Sequence, residues 1–136
     1  MAWRTNFEET NKSITVAIID DDELHTALIT RQLKRAEMDV KFYAQNGMCG
    51  IAALQSMLTL PEVVIVDIEM PVMSGFEVVK YLRQAWPYLP IIAYSSLTSA
   101  EVHQRIMADG ANMFILKQPV ASKLISAIKI LSAVKN

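Results

Sequence analysis

With one cysteine, Cys49, the chain can form no internal disulfide, and this fits a reducing cytosol. Cys49 has no His or Cys neighbour at ligand spacing and reads as an inert thiol near a helix start. No basic stripe runs along the sequence and the net charge is −1, so the chain itself offers no electrostatic footprint for nucleic acid. No apolar run approaches the ~20 residues that a membrane helix needs. The opening MAWRTNFEETNK lacks the apolar stretch of a signal peptide. A cytoplasmic location is therefore expected. No repeat or low-complexity segment interrupts the pattern. Residues 1–12 read as an N-terminal arm whose Trp3 and Phe7 could dock elsewhere, and 13–136 as one domain, as the length suggests. At 52% hydrophobic and 20% charged residues, that domain has ample material for a core.

What is present is acidity in two places. Asp20, Asp21 and Asp22 follow the apolar run Ile14 to Ile19, and Asp67, with Glu69 two residues on, follows Val63 to Val66. Short Val- and Ile-rich runs bounded by polar residues read as buried parallel strands. Carboxylates at the ends of neighbouring strands repel, so one should hold its proton unless a cation joins them. A hard divalent ion such as Mg²⁺ suits such an all-oxygen site.

Strand-like and helix-like segments alternate five times. The strand candidates are 14–19, 40–44, 62–66, 90–94 and 112–116. Pro61 and Pro90 sit at strand beginnings, where a missing N–H costs least. The first helix is expected to bury Leu24, Ala27, Leu28 and Leu33, with Asp22 as its N-cap. The second is expected over 47–58 with Ile51, Leu54 and Leu58 on one side. The third opens with a capping box, Ser74 to Glu77, ahead of Phe76, Val79, Leu82 and Trp86. The fourth opens with a second box in Thr98-Ser99-Ala100-Glu101 and ends at Gly110, a left-handed cap. The fifth carries Leu124, Ala127, Ile128 and Leu131. Five such units imply an α/β doubly wound parallel sheet with helices on both faces.

The strand ends then offer Asp20 and Asp21, Asp67, Ser95 and Lys117. Two metal-binding acids, a nucleophile, a hydroxyl and a fixed cation suit phosphoryl transfer to a carboxylate. Such transfer depends mainly on positioning and charge, so a small site suffices. These residues, in VAIIDDDELH, VVIVDIEMPVMSGFEVV, IIAYSS and GANMFILK, resemble the receiver domain of two-component response regulators over about residues 14–134.

That resemblance implies a flavodoxin-like (βα)5 fold with strand order 2-1-3-4-5. In open sheets of this order, of which receiver domains are themselves a standard example, ligands sit at the carboxyl ends of the strands. It implies Asp67 as phospho-acceptor, and Mg²⁺ held by Asp20, Asp21, Asp67 and the backbone carbonyl of Glu69, whose side chain is then free. It implies Ser95 as switch hydroxyl, Phe114 as the aromatic that moves with it, and Lys117 as the lysine that pairs with the phosphoryl group. The partner is a sensor histidine kinase or phosphotransfer protein, and a homodimer could form through the fourth helix, fifth strand and fifth helix.

Two positions depart from the family pattern. Gln118 separates Lys117 from Pro119, so a trans Lys117–Gln118 bond or a cis Gln118–Pro119 bond is expected, with Lys117 slightly displaced. Phe114 has no hydroxyl, so its switching involves packing only. Ser96 and Leu97 sit where the family tunes water access, and apolar Leu97 suggests slow loss of the phosphoryl group. The segment KYLRQAWPYLPIIAYS resembles receivers of LuxR-type regulators, which would act on DNA through an output domain beyond these residues. The chain is thus a single-domain regulator or part of a longer protein.

Blander readings stand beside these. Each acid, Ser95 or Lys117 alone is an ordinary strand-end residue; only their joint placement is informative. His25 and His103 read as helix-exterior residues, the methionines mostly as core fillers, and Lys80, Arg83, Lys123 and Lys129 as solvated faces. No enzymatic turnover is expected beyond self-phosphorylation and its reversal. A pseudo-receiver binding module and a haloacid-dehalogenase-like phosphatase are the alternatives; the latter fits poorly, because Glu69 and Pro71 stand where it needs a second acid and usually threonine.

Overall fold

The computed structural model describes residues 12–134, so all of the arm up to residue 11, with Trp3 and Phe7, lies outside the described residues. Five strands alternate with five helices: β1 Thr15–Ile19, α1 Glu23–Arg35, β2 Asp39–Ala44, α2 Gly47–Ser56, β3 Val63–Asp67, α3 Gly75–Ala85, β4 Ile91–Ser95, α4 Ala100–Asp109, β5 Met113–Leu116 and α5 Ser122–Val134. The strands are parallel and ordered β2-β1-β3-β4-β5, the flavodoxin-like order.

Burial explains the order. Every residue of β3 and β4 is buried, as central strands covered on both faces must be. β2 keeps Asp39 and Lys41 exposed, paired to each other at 2.7 Å, and charge on an edge strand discourages pairing with another chain. Alternate side chains feed two cores. Val16, Ile18, Ile65, Ile92 and Tyr94 pack with α1 and α5 through Ile29, Leu33, Leu124 and Ile128. Ala17, Ile19, Val64, Val66 and Ala93 pack on the other side with α2, α3 and α4 through Leu54, Val78, Leu82 and Ile106.

Several sequence expectations are corrected. The buried face of α1 is Thr26, Ile29 and Leu33, while Leu24 is 86% exposed and Leu28 also faces solvent. At ~100° per residue, Thr26 points away from Leu24, and the helix buries a threonine rather than two leucines. α2 stops at Ser56, and Leu58 is fully exposed beyond it. The box of α3 forms, Ser74 accepting from Glu77 N and Glu77 from Ser74 N. The second box does not: α4 is capped at Ser99 with no side-chain bond. Asp22 caps α1 by accepting from His25 N at 3.0 Å. Gly110 closes α4 at φ 122°. Met38 and Met70 are core, but Met48 and Met107 are exposed.

Arg83 is no solvated residue. Its guanidinium donates to the carbonyls of Gly110 (2.8 and 3.0 Å), Pro87 (2.8 Å) and Trp86 (3.3 Å), and to Asn112 Oδ1 (2.8 Å). It ties the C-terminus of α3 to that of α4, and burial pushes its pKa down. Five fixed donors make this possible where lysine has a single point charge.

Candidate functional site

β1 and β3 are neighbours in register, Ile19 beside Val66, so the residues that follow, Asp20 and Asp67, emerge together at the sheet's carboxyl rim. Both are deeply buried, 2% and 3% exposed, whereas Asp21 is exposed. One oxygen from each of Asp20, Asp21 and Asp67 lies within 4.8 Å of the other two. Lys117, just past β5, reaches across to them: its Nζ is 3.1 Å from Asp20 Oδ2 and 3.3 Å from Asp67 Oδ1. Asp20 Oδ1 accepts from Asp22 N at 2.9 Å, and Asp67 Oδ1 from Glu69 N at 3.3 Å.

The electrostatics follow from this crowding. Burial, then the Asp20 charge, pushes the Asp67 carboxyl up to about 7 against the pull of Lys117. Burial alone would lower the Lys117 pKa, but the charges of Asp67 and Asp20 outweigh it and raise it. Two carboxyl groups at one ammonium, with a third from Asp21 beside them, give the pocket hard oxygen donors that fit a Mg²⁺ ion.

The loop after Asp67 is positioned by Gly75. Its N–H donates to Ile68 O at 2.9 Å, and a Cβ there would lie 2.2 Å from Asp67 O and 2.4 Å from Ile68 Cα. Only glycine lets α3 start this close to the backbone of the acid.

The other expected site residues are arranged less tightly. Ser95 is fully buried, and its Oγ accepts from Leu97 N at 3.0 Å. The Glu69 carboxylate, expected to be free, instead accepts from Ser96 Oγ at 3.0 Å; it lies outside the Asp20–Asp21–Asp67 group. Phe114 is half-buried and stacks on His103 of α4, ring centres 4.7 Å apart. No peptide bond among the described residues is cis, so both bonds flanking Gln118 are trans, and Lys117 reaches both acids all the same.

His25, expected on a helix exterior, instead hydrogen-bonds the Tyr94 hydroxyl through Nε2 at 2.9 Å. Desolvation by burial, then the Lys117 charge, lowers its pKa. Sequence reasoning also missed Gln32, whose side chain bonds Pro119 and Ala121. No local pattern marks a glutamine that contacts residues almost ninety positions away.

Comparison with known proteins agrees with this geometry. The family model described as the response regulator receiver domain matches residues 16–129. A protein-glutamate methylesterase/protein-glutamine glutaminase of Caulobacter vibrioides is 40% identical over 111 residues, 80% of this chain and 31% of that protein. The autoinducer 1 sensor kinase/phosphatase LuxN of Vibrio campbellii is 30% identical over 90 residues, 66% of this chain and 10% of that protein. The chain thus spans about a third or less of these relatives. Among solved structures, the Vibrio cholerae chemotaxis protein CheY4 superposes with TM-score 0.80 at 28% identity, covering 88% of this chain and 99% of that one. The acidic rim, the strand order and these matches lead to one conclusion: the chain belongs to the response regulator receiver domain family.

Proposed function

We propose that Asp67 accepts a phosphoryl group from the phosphohistidine of a sensor histidine kinase or phosphotransfer protein, and that the new charge switches an output partner or domain. The observation that carries this is the buried Asp67 carboxylate lying beside Asp20, with Lys117 Nζ 3.3 Å away. An Asp67 Oδ forms a bond to phosphorus as the P–N bond breaks, the electron pair returning to the imidazole nitrogen. Lys117 then holds a phosphoryl oxygen. Asp20, Asp21 and Asp67, with the Glu69 carbonyl, are the residues that would hold Mg²⁺. When bound, Mg²⁺ offsets negative charge on the transferring oxygens.

The switch would run through Ser95, which exchanges its Leu97 bond for the phosphoryl group, and through Phe114, which changes its packing on His103. The solvent-facing Leu24 and Leu28 of α1, close to the acidic rim, suit a helical phosphodonor, and the α4–β5–α5 face suits a second copy. Residues 13–136 constitute this unit, acting in the cytoplasm without turnover of its own substrate. A dehalogenase-type phosphatase is disfavoured because the Glu69 carboxylate is engaged by Ser96. Leu97 should slow hydrolysis, and a phosphoryl lifetime of only a few seconds would contradict that.

The test is incubation with acetyl phosphate and Mg²⁺, read by intact mass. One phosphoryl group is expected on the wild type and none on Asp67→Asn. Equal gain by the mutant overturns the assignment, and no gain by either favours a pseudo-receiver.

A further inference from the structure

Lys117 has to hold its ammonium at two buried carboxylates, yet it begins an irregular stretch. β5 ends at Leu116 and α5 starts at Ser122. The Lys117 N–H donates to Ser95 O at 2.7 Å, and the residues 118–121 belong to no regular element. A long flexible side chain on a drifting backbone loses the placement that phosphoryl transfer requires.

Helix α1 adds a second restraint, beyond the Lys117 N–H bond to Ser95 O, from outside the pocket. Gln32 Nε2 donates to Pro119 O at 2.7 Å, and Gln32 Oε1 accepts from Ala121 N at 2.7 Å. Pro119 offers only a carbonyl and Ala121 N only a donor, so one orientation of the amide satisfies both. Ala121 O in turn accepts from Ile125 N at 2.8 Å, opening α5 at a residue whose own side chain cannot cap. Two turns earlier on the same helix, His25 holds the Tyr94 hydroxyl at 2.9 Å. The Tyr94 ring lies under Lys117, its centre 5.7 Å from Nζ. One face of α1 therefore secures both the segment that follows Lys117 and the ring beneath it.

We propose that Gln32 is a positioning residue for phosphoryl transfer: its two-ended bond to Pro119 and Ala121 locks the β5–α5 connection and so holds Lys117 Nζ at Asp67. Gln32 touches neither acid nor the lysine, so it acts only through the backbone of this connection. The inference rests on the phospho-acceptor reading of Asp67.

The test is a double-mutant cycle on the full chain, with acetyl phosphate and Mg²⁺ as probe and intact mass followed over hours. Gln32→Ala should slow phosphorylation roughly tenfold, as a modest loss of alignment does. The same substitution in a Lys117→Ala background should slow it no further, because the group it positions is gone. Gln32→Glu keeps the acceptor for Ala121 N but loses the donor to Pro119 O. It should behave like Gln32→Ala while preserving volume, which covers the case in which alanine loosens the fold. Unchanged rates in both Gln32 variants, or equal slowing with and without Lys117, overturns the proposal. If the wild type takes up no phosphoryl group, the failure belongs to the Asp67 reading instead.

Discussion

Val72 sits at the centre of the tight turn that follows Asp67 and Gly75 at the helix start beyond it, and they pull in opposite directions. Any Cβ at Gly75 collides with the Asp67 and Ile68 backbone, which cannot move without moving the acid. Gly75→Ala should cost about 2 kcal/mol or more, and it should weaken Mg²⁺-dependent phosphorylation as well as lower the melting temperature. Retained activity with a wild-type melting point would show that the contact is unimportant. Val72 holds φ 69° in a tight turn closed by Met73 N to Pro71 O at 2.9 Å. A β-branched residue there is strained. Its side chain is fully exposed, so Val72→Gly removes strain without opening a cavity and should stabilise by about 1 kcal/mol. Chemical denaturation checks this, and a lower midpoint would refute it.

At the scale of elements, α1 shows how a helix chooses its buried stripe. Leu24 and Leu28 face solvent, while Ile29 and Leu33 are inside. Leu24→Ala should change stability by no more than about 0.5 kcal/mol, and Leu33→Ala should cost about 3 kcal/mol. Measured unfolding free energies in the reverse order would mean that the helix is rotated. Between α3 and α4, Arg83 binds four groups with one guanidinium. Arg83→Lys keeps the charge but leaves carbonyls unpaired, for a cost of about 1–3 kcal/mol. A lysine variant as stable as the wild type would show that charge alone suffices.

For the whole molecule, the acidic pocket links folding to protons and, on the proposed function, to Mg²⁺ as well. Asp67 titrates near 7 in the fold, above its ordinary carboxylate value. A raised folded pKa contributes stability that is complete below the unfolded pKa and is lost as pH rises through about 7. The metal-free protein should therefore lose stability relative to Asp67→Asn between about pH 4 and pH 7. Above that window Mg²⁺ should restore it, because cation binding requires the ionised acid. Below it, protons compete and Mg²⁺ affinity falls. Melting curves of both proteins with and without Mg²⁺ across this range decide the matter; parallel curves would remove Asp67 from the linkage.

How much of this could be read from one dimension follows from the reach of each interaction. Strands, the α2, α3 and α5 faces in outline, the Asp22 and Ser74 caps and the acidic strand ends are local: hydrophobic period and capping chemistry act over a few residues. The α1 stripe failed because apolar residues lie on both of its sides, and only the sheet decides which is covered. The second capping box failed because α4 is capped one residue later, at Ser99. Arg83, His25 and Gln32 were invisible because their partners arrive from distant segments brought together by the sheet. Covalent order and side-chain chemistry marked which groups are candidates to react. Packing settled how far apart they stand, which carboxylate is starved of water, and what holds Lys117 in reach of it. Those outcomes depend on long-range desolvation and contact, and a string of residues carries neither until it is folded.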